Sequence, residues 1–419
     1  MGSVRFQPLQ GMSDIASPEV FLWQALERKA RETLRIYGYR ELRTPILERT
    51  PLFIRSMGEA TDVVQKEMYR FEDRGGRDIA LRPEGTAGAM RYAAGLGPNA
   101  TGERLYYLGP MFRCERPQAG RKRQFHQLGT EALGPPLPAA DAECIAMQVQ
   151  ILAAWGLGGS EVKINTRGTP EDQVAVASGL REALRPVEGQ LCEDCRRRLD
   201  MNVLRVLDCK KAGCRERAAA LPPITDFMAQ ASREYLDEVL RLLERLNILA
   251  TQDPGLVRGI DYYAHTVWEI VHSGLGAQDA LSGGGRYRIE LEGAVVEGVG
   301  FAMGLERVVA VLQAQGQTGE EAADRPRVWI VTQHPSAFEE NLLLAQTLRL
   351  RGVACGMDLA QRSLKAQMRA ANRAGAAWVV VRGEAEMTSG TFALKEMATG
   401  QQQEVEMPEL MERLEVLPA

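Results

Sequence analysis

Between residues 40 and 134 of this 419-residue chain, short strand-like segments follow one another with few helices read between them. Parallel neighbours need a long crossover, so strands that follow one another this closely favour an antiparallel sheet over a doubly wound one. "KEMYRFEDRGGRDIALRPEGT" is one hairpin: strand, Arg-Gly-Gly-Arg turn, strand. "RLYYLGPMFRCER" and "RQFHQLGTEALG" form a second pair, joined by the loop from Pro117 to Gly120. Upstream, Phe21, Leu22, Ala25, Leu26, Ala30 and Leu34 repeat at helical spacing as far as Gly38, and the alternating "YRELRTPILE" then reads as a strand. Its Pro45 confines that strand to an edge, a bulge or a subunit contact. A helix over about 141–155 and the strand "EVKINT" extend the pattern.

From about 168 to 250 charged amphipathic helices dominate, broken by Pro222-Pro223, and this stretch reads as a helical insertion. Sheet character returns at "GLVRGIDYYAHTVWEIVH" and "GVGFAMGLERVVAVLQ". "QAQGQTGEEAADRPR", residues 313–327, has the composition of a linker. Beyond it "VWIVTQ", a helix at 336–351, "VACGMDL", a helix at 363–374 and "AWVVVRG" alternate strand with helix, which predicts a separate α/β domain. The chain is therefore expected to be α+β, with an antiparallel-sheet domain over 1–325 and an α/β domain over 326–419.

Charged residues make up 25% and apolar residues 45% of the chain, ordinary values for a soluble protein, and a net charge of −4 argues against blanket coating of nucleic acid. The longest weakly charged run, Cys144 to Ser160, contains glutamines and is too short to span a bilayer. No signal-peptide pattern is read at the N-terminus, and seven cysteines without secretory context point to a reducing cytoplasm.

Against this acidic background, Arg113, Arg116, Arg121, Lys122 and Arg123 crowd into "RCERPQAGRKR". The guanidinium fork of Arg113 suits a polyphosphate, and an unpaired charge inside an apolar strand is costly without such a partner. The loop cations read equally as a solvated hairpin. Gln127 and Glu131, four apart on a strand, share one face and suit an ammonium group and a small polar ligand; a satisfied polar pair is the alternative. "RPEGT" ends the preceding hairpin with Glu84 and Thr86. Arg258 opens "RGIDYY", whose Tyr262 and Tyr263 suit the wall of a flat heteroaromatic ring, though core aromatics fit as well. "LSGGGRY" and "GVGFAMGLERV" let backbone approach a ligand, the latter with Arg307 just past its glycines, and neither is a dinucleotide fingerprint.

Cys192, Cys195, Cys209 and Cys214 have spacing that resembles a zinc knuckle, and reduced cysteines in a helical insertion are the alternative. His126, His265, His272 and His334 are scattered without metal or nucleophile spacing, and no Walker loop or Gly-x-Ser-x-Gly elbow is present, so covalent catalysis is not supported.

Taken in order, these pieces resemble a class II aminoacyl-tRNA synthetase over essentially the whole chain. "GYRELRTPILE", "GPMFRCERPQAGRKRQFHQ" and "GFAMGLERV" resemble the three class motifs, while "LVRGIDYY" and "GGGRY" resemble stretches marking the histidyl-tRNA synthetase family. The resemblance implies a dimer contact at Pro45 and a homodimer. It implies attachment of L-histidine to tRNA(His) through a histidyl-adenylate, with ATP entering as its Mg²⁺ complex. Carried over by position, it puts Arg113, Glu115 and Arg307 at ATP, with Arg113 on the α-phosphate. Arg258 then stabilises the reacting phosphate; Glu84, Thr86, Gln127, Glu131, Tyr262, Tyr263 and Tyr287 hold histidine; Arg116, Arg121, Lys122 and Arg123 grip the tRNA acceptor end. The C-terminal domain resembles an anticodon-binding domain, and Arg362, Lys365, Arg369 and Arg373 fall on one helical face that suits RNA phosphates or solvent. One departure is Arg288, where an acidic residue usually follows "GGGRY". The nearest rivals are a synthetase-like regulatory subunit of an ATP phosphoribosyltransferase, which lacks the C-terminal domain, a tRNA-sensing pseudo-synthetase, and synthetases for proline, threonine or glycine.

Overall fold

The strand-on-strand segments of the N-terminal part assemble into an eight-stranded sheet and a small three-stranded one. The structure, a computed structural model, describes residues 6–59, 61–118, 120–257, 262–275, 280–291, 293–317 and 326–415. It divides into two compact units, Met1–Glu320 and Glu321–Ala419.

In chain order the first unit contains β1 (Arg40–Glu41), β2 (Leu47–Arg49), β3 (Arg70–Glu72), β4 (Asp78–Leu81), β5 (Arg104–Phe112), β6 (Gln124–Leu133), β7 (Glu161–Thr166), β8 (Ala250–Gln252), β9 (Tyr263–Val271), β10 (Ala280–Leu291) and β11 (Ala294–Gly304). The large sheet runs β1-β5-β6-β11-β10-β9-β7-β8. Its six inner strands are antiparallel, and only β1 and β8 at its edges pair parallel with their neighbours. The expected hairpins are β3–β4 and β5–β6.

The expected single strand around Pro45 is not formed. Arg40–Glu41 joins β5, the chain leaves that sheet, and Leu47–Arg49 pairs with β4 in the small sheet. Proline has no N–H to donate, so the ladder cannot run through it and the segment divides between two sheets.

Helices α1 (Glu19–Ile36), α2 (Thr50–Met57), α3 (Thr86–Leu96), α4 (Pro138–Ala154), α5 (Pro170–Leu184), α6 (Glu193–Met201), α7 (Ala212–Ala219), α8 (Gln230–Arg245) and α9 (Leu305–Ala314) complete the unit. Leu22, Leu26, Ala30 and Leu34 of α1 pack with Ile145, Met147 and Ile151 of α4 and with Trp268 of β9 in the main core. Each such large apolar side chain contributes roughly 1.5–3 kcal/mol by leaving water. Two polar links tie α4 to the sheet. Trp268 Nε1 donates to Gln148 Oε1 at 2.6 Å, and Gln148 Nε2 donates to Ser282 at 2.6 Å. Arg286 of β10, 2% exposed, bonds Asp141 at 2.7–2.8 Å and the carbonyls of Gly134 and Pro135, while the Tyr235 hydroxyl also donates to Asp141. Helices α5 to α7 bury a core of their own around Val176, Leu180, Leu199 and Val206, whereas α8, which falls within the expected insertion of about 168–250, packs Leu236, Val239 and Leu243 into the main core instead.

In the second unit β12 (Val328–Thr332), β13 (Cys355–Met357), β14 (Trp378–Arg382), β15 (Thr391–Glu396) and β16 (Gln402–Glu406) make a sheet ordered β13-β12-β14-β15-β16. The first three strands are parallel, connected through α10 (Phe338–Leu350) and α11 (Leu364–Arg373), as the alternating sequence pattern requires. The antiparallel β15–β16 hairpin, flanked by α12 (Glu384–Ser389) and α13 (Met407–Glu415), adds a second sheet edge that the alternation did not reveal. Lys365, Arg369 and Arg373 are exposed on α11; Arg362 precedes that helix and bonds Asp358 at 2.7 Å.

Candidate active site

The site is built on the antiparallel face of β5, β6, β11, β10 and β9. Gln127 lies opposite Gly109 and Gly304, and Glu131 opposite Leu105 and Gly300, so the four-residue spacing brings both side chains to one face. Glycine at 300 is a packing requirement: a Cβ there would sit 2.4 Å from Glu131 Oε2 and 2.0 Å from the Thr130 carbonyl. Tyr287 of β10 pairs with Gly298 on one side and Tyr263 on the other. The rings of Tyr262 and Tyr263 are 4.8 Å apart, and Tyr262 meets Tyr287 edge-on at 5.9 Å.

These residues enclose a deep cavity of about 60 Å³ lined by Glu84, Thr86, Arg113, Gln127, Glu131, Tyr262, Tyr263 and Tyr287. Glu84 accepts the backbone N–H groups of Thr86 at 2.6 Å and Ala87 at 2.7 Å, which places its carboxylate at the start of α3. Burial raises its pKa, and those N–H donors oppose the rise. Gln127 accepts from the Gly85 N–H at 3.2 Å and so ties the two edges of the cavity together. Glu131 is 1% exposed. Burial pushes its carboxyl up to about 8 and the Glu84 charge adds to the rise, while the hydroxyls of Tyr287, Thr86 and Tyr107 hold it back. At neutral pH the cavity therefore offers one carboxylic acid able to donate and an ionisable partner beside it.

A wider cleft of about 440 Å³ opens from this cavity, and Arg113, Gln127 and Ala302 line both spaces. Arg113 follows the last residue of β5. Its N–H closes the hairpin on the Arg123 carbonyl at 2.8 Å, its Nε donates to the Pro83 carbonyl at 2.9 Å, and its guanidinium lies 5.4 Å from the Phe125 ring centre. Arg307, in the first turn of α9, bonds the Ala280 carbonyl. Gly120, at φ +70°, brings the β5–β6 loop over it; a Cβ there would lie 3.1 Å from Arg307 Cγ. Glu306 fixes α9 to β6 by accepting the His126 N–H with both oxygens at 2.9 Å. Arg121, Lys122 and Arg205 join Arg113 and Arg307 around the cleft, with the carboxylates of Glu67 and Glu115 among them. Guanidinium forks and carboxylates around one cleft suit a polyphosphate carried with a divalent ion.

A sequence profile described as histidyl-tRNA synthetase matches residues 11–308, and one described as an anticodon binding domain matches residues 327–417. This chain belongs to the histidyl-tRNA synthetase family. Relatives named histidine–tRNA ligase from Pelotomaculum thermopropionicum and Halothermothrix orenii are each 43% identical over 415 residues, covering 97% of this chain and 96% and 98% of theirs. The structure of apo histidyl-tRNA synthetase from S. aureus, 33% identical, superposes with a TM-score of 0.82 and covers 98% of this chain and 100% of that one. The match at 327–417 falls on the C-terminal domain that the synthetase resemblance implies.

For this member of the histidyl-tRNA synthetase family, the sequence-predicted residues Glu84, Thr86, Gln127, Glu131, Tyr262, Tyr263 and Tyr287 come together in one cavity, and Arg113, Glu115 and Arg307 in the adjoining cleft. Arg258 lies outside the described residues. The basic loop does not act as one patch. Arg116 is exposed, whereas Arg121 and Lys122 line the nucleotide-sized cleft and Arg123 folds back on the Glu115 carbonyl at 3.2 Å. Arg288, the departure after "GGGRY", points away from the cavity, near Glu297 at 3.4 Å, and leaves Tyr287 in place. Sequence reasoning missed Glu67, Arg205 and Glu306. Glu306 was the most legible of them, because it sits beside Arg307 in the "GLERV" stretch.

Proposed function

We infer that this chain joins L-histidine to tRNA(His) at the expense of ATP, through a histidyl-adenylate, releasing AMP and diphosphate. The observation that carries the reading is the shared wall: Arg113 and Gln127 line both the polar cavity and the wide cleft, in which guanidinium groups and carboxylates alternate. An amino acid in the first space therefore meets a nucleotide in the second across one guanidinium.

Histidine enters with its imidazole against Glu131 and Tyr263. Glu84 takes the α-ammonium group, Gln127 the carboxylate region, and Tyr262 and Tyr287 close the walls. A phenyl ring in the same place would offer the buried Glu131 carboxyl neither a donor nor an acceptor, and a site built to hydrogen-bond a ring nitrogen discriminates strongly against a ring that lacks one. ATP lies in the cleft, its α-phosphate on Arg113 and its γ-phosphate end toward Arg307, with Glu115 at the nucleotide. Mg²⁺ arrives with ATP as part of the substrate, and the purine finds apolar walls at Phe125 and Leu281. The histidine carboxylate oxygen attacks the α-phosphorus in line as the bond to diphosphate breaks. Arg113 and Arg258 neutralise the charge that develops, and no protein nucleophile is needed. The tRNA 3′-terminal hydroxyl then attacks the adenylate carbonyl and AMP leaves.

Arg116 contacts the tRNA acceptor end, Arg121 and Lys122 reach the RNA backbone from the rim of the nucleotide cleft, and Arg123 braces the loop through the Glu115 carbonyl. The exposed face of Lys365, Arg369 and Arg373 meets RNA phosphates in the second unit. The chain works as a homodimer in the cytoplasm. Ile46, Leu47 and Phe71, 43%, 44% and 46% exposed around the small sheet, support the dimer contact, and seven unpaired cysteines fit a reducing compartment. Among the described residues no helix is long and apolar enough to cross a membrane.

Amino-acid-dependent exchange of pyrophosphate into ATP, run with each of the twenty amino acids, tests the reading. Exchange with L-histidine alone is expected, and exchange driven by a different amino acid, or by none, would overturn it.

A further inference from the structure

Cys192, Cys195, Cys209 and Cys214 are separated by up to 22 residues, yet their four Sγ atoms all lie within 4.8 Å of one another, and none is in a disulfide. A tetrahedral ion with metal–sulfur bonds of about 2.3 Å holds its sulfurs roughly 3.8 Å apart. Small side-chain rotations therefore suffice to close the four around one ion. Cys195, Cys209 and Cys214 are 0%, 7% and 2% exposed, so water does not compete for the sulfurs.

The backbone around the cluster is arranged for anionic sulfur. Cys192 caps α6 and Cys195 lies in its first turn, while Cys214 lies in the first turn of α7. Two helix N-termini thus converge on the sulfurs. The Cys192 N–H donates to Cys214 Sγ at 3.2 Å, an interaction that favours a thiolate there. Four thiolates so close cannot coexist in a protein interior without a cation, and four neutral thiols waste the donors aimed at them. An all-sulfur tetrahedral set selects a soft ion over magnesium or calcium. Lys210, Lys211 and Arg215 flank the ligands in sequence and offset the net negative charge of a tetrathiolate site.

The segment between Cys195 and Cys209 also carries Arg205, which lines the nucleotide cleft and lies 3.3 Å from Asp208 and 3.9 Å from Asp62. Val203, Leu204 and Val206 of that segment share one buried core with Cys195, Cys209 and Cys214, so an ion at the four sulfurs braces the core that carries Arg205.

We propose that Cys192, Cys195, Cys209 and Cys214 bind one structural Zn²⁺ that cross-links the helical insertion and holds Arg205 at the rim of the nucleotide cleft.

The test uses the full-length protein purified reduced, without chelator, from cells supplied with zinc chloride. Elemental analysis should find one zinc per chain. A mercurial thiol reagent should release that zinc in step with modification of four thiols, lower the melting temperature and raise KM for ATP. Exchange with cobalt chloride should give the intense red-region absorption of tetrahedral thiolate-bound Co²⁺, and Cys209→Ser or Cys214→Ser should lose the metal. If those variants fail to fold, the wild-type zinc content and the cobalt spectrum decide alone. Protein without stoichiometric metal whose four thiols react at once with a disulfide reagent would overturn the proposal. So would a coloured iron-loaded protein, or cobalt held in an octahedral, oxygen-ligated site.

Discussion

Replacing Glu131 by glutamine, Glu131→Gln, keeps the shape of the side chain and removes its titration, which makes the energetic consequence of this buried acid measurable. Its pKa rises from an ordinary 4.5 to about 8 on folding, chiefly through burial. Below pH ~4.5 both folded and unfolded chains hold the proton and the shift has no effect on stability. Between that value and pH 8 the unfolded chain is ionised and the folded one is not, so rising pH favours unfolding, and above pH 8 the loss is complete. At about 1.4 kcal/mol per pKa unit, the loss is on the order of 3 kcal/mol by pH 7 and 5 kcal/mol by pH 9. Urea unfolding of the ligand-free wild type and Glu131→Gln proteins at several pH values between 5 and 9 reads this difference. The stability of the variant relative to wild type should climb by about 1.4 kcal/mol per pH unit and level off above 8. Parallel pH profiles for the two proteins would refute the reasoning. The same variant should raise KM for histidine, because the site gives up stability for recognition.

Arg113→Ala should lower the rate of histidine-dependent pyrophosphate exchange about 100- to 1,000-fold with the melting temperature little changed, as expected when one preorganised charge is removed. Arg258→Ala should abolish that exchange while circular dichroism stays native, and retained exchange would remove Arg258 from the mechanism. Asp141→Ala leaves the buried Arg286 guanidinium without its carboxylate and should cost about 3–5 kcal/mol in urea unfolding, although it touches neither substrate. Binding of tRNA should weaken with salt, and Arg116→Ala should reduce the slope of log affinity against log salt by about one, measured by filter binding.

Short connections and local alternation made the antiparallel strands legible, because those signals are carried by neighbouring residues. Gln127 and Glu131 were readable for the same reason: strand geometry alone fixes that they share a face. The failure at Pro45 has the same origin in reverse. The alternation on both sides of it is real, but the missing N–H sends its two halves into different sheets. Asp141 and Arg286 are 145 residues apart in sequence, and nothing in either neighbourhood marks them as a buried pair. Arg205 sits in an unremarkable charged insertion, and only the fold brings it to the nucleotide cleft. The loop from Arg116 to Arg123 read as one basic patch because composition cannot show that Arg121 and Lys122 turn inward while Arg116 turns out.

The most direct measurement of the central claim is a structure of the protein bound to histidinol and ATP, a pair that cannot react to the adenylate. The imidazole is expected between Glu131 and Tyr263, the α-phosphate on Arg113, and the alcohol oxygen in line with the α-phosphorus. An imidazole outside the cavity lined by Glu84 and Glu131, or an α-phosphate without contact to Arg113, would contradict it.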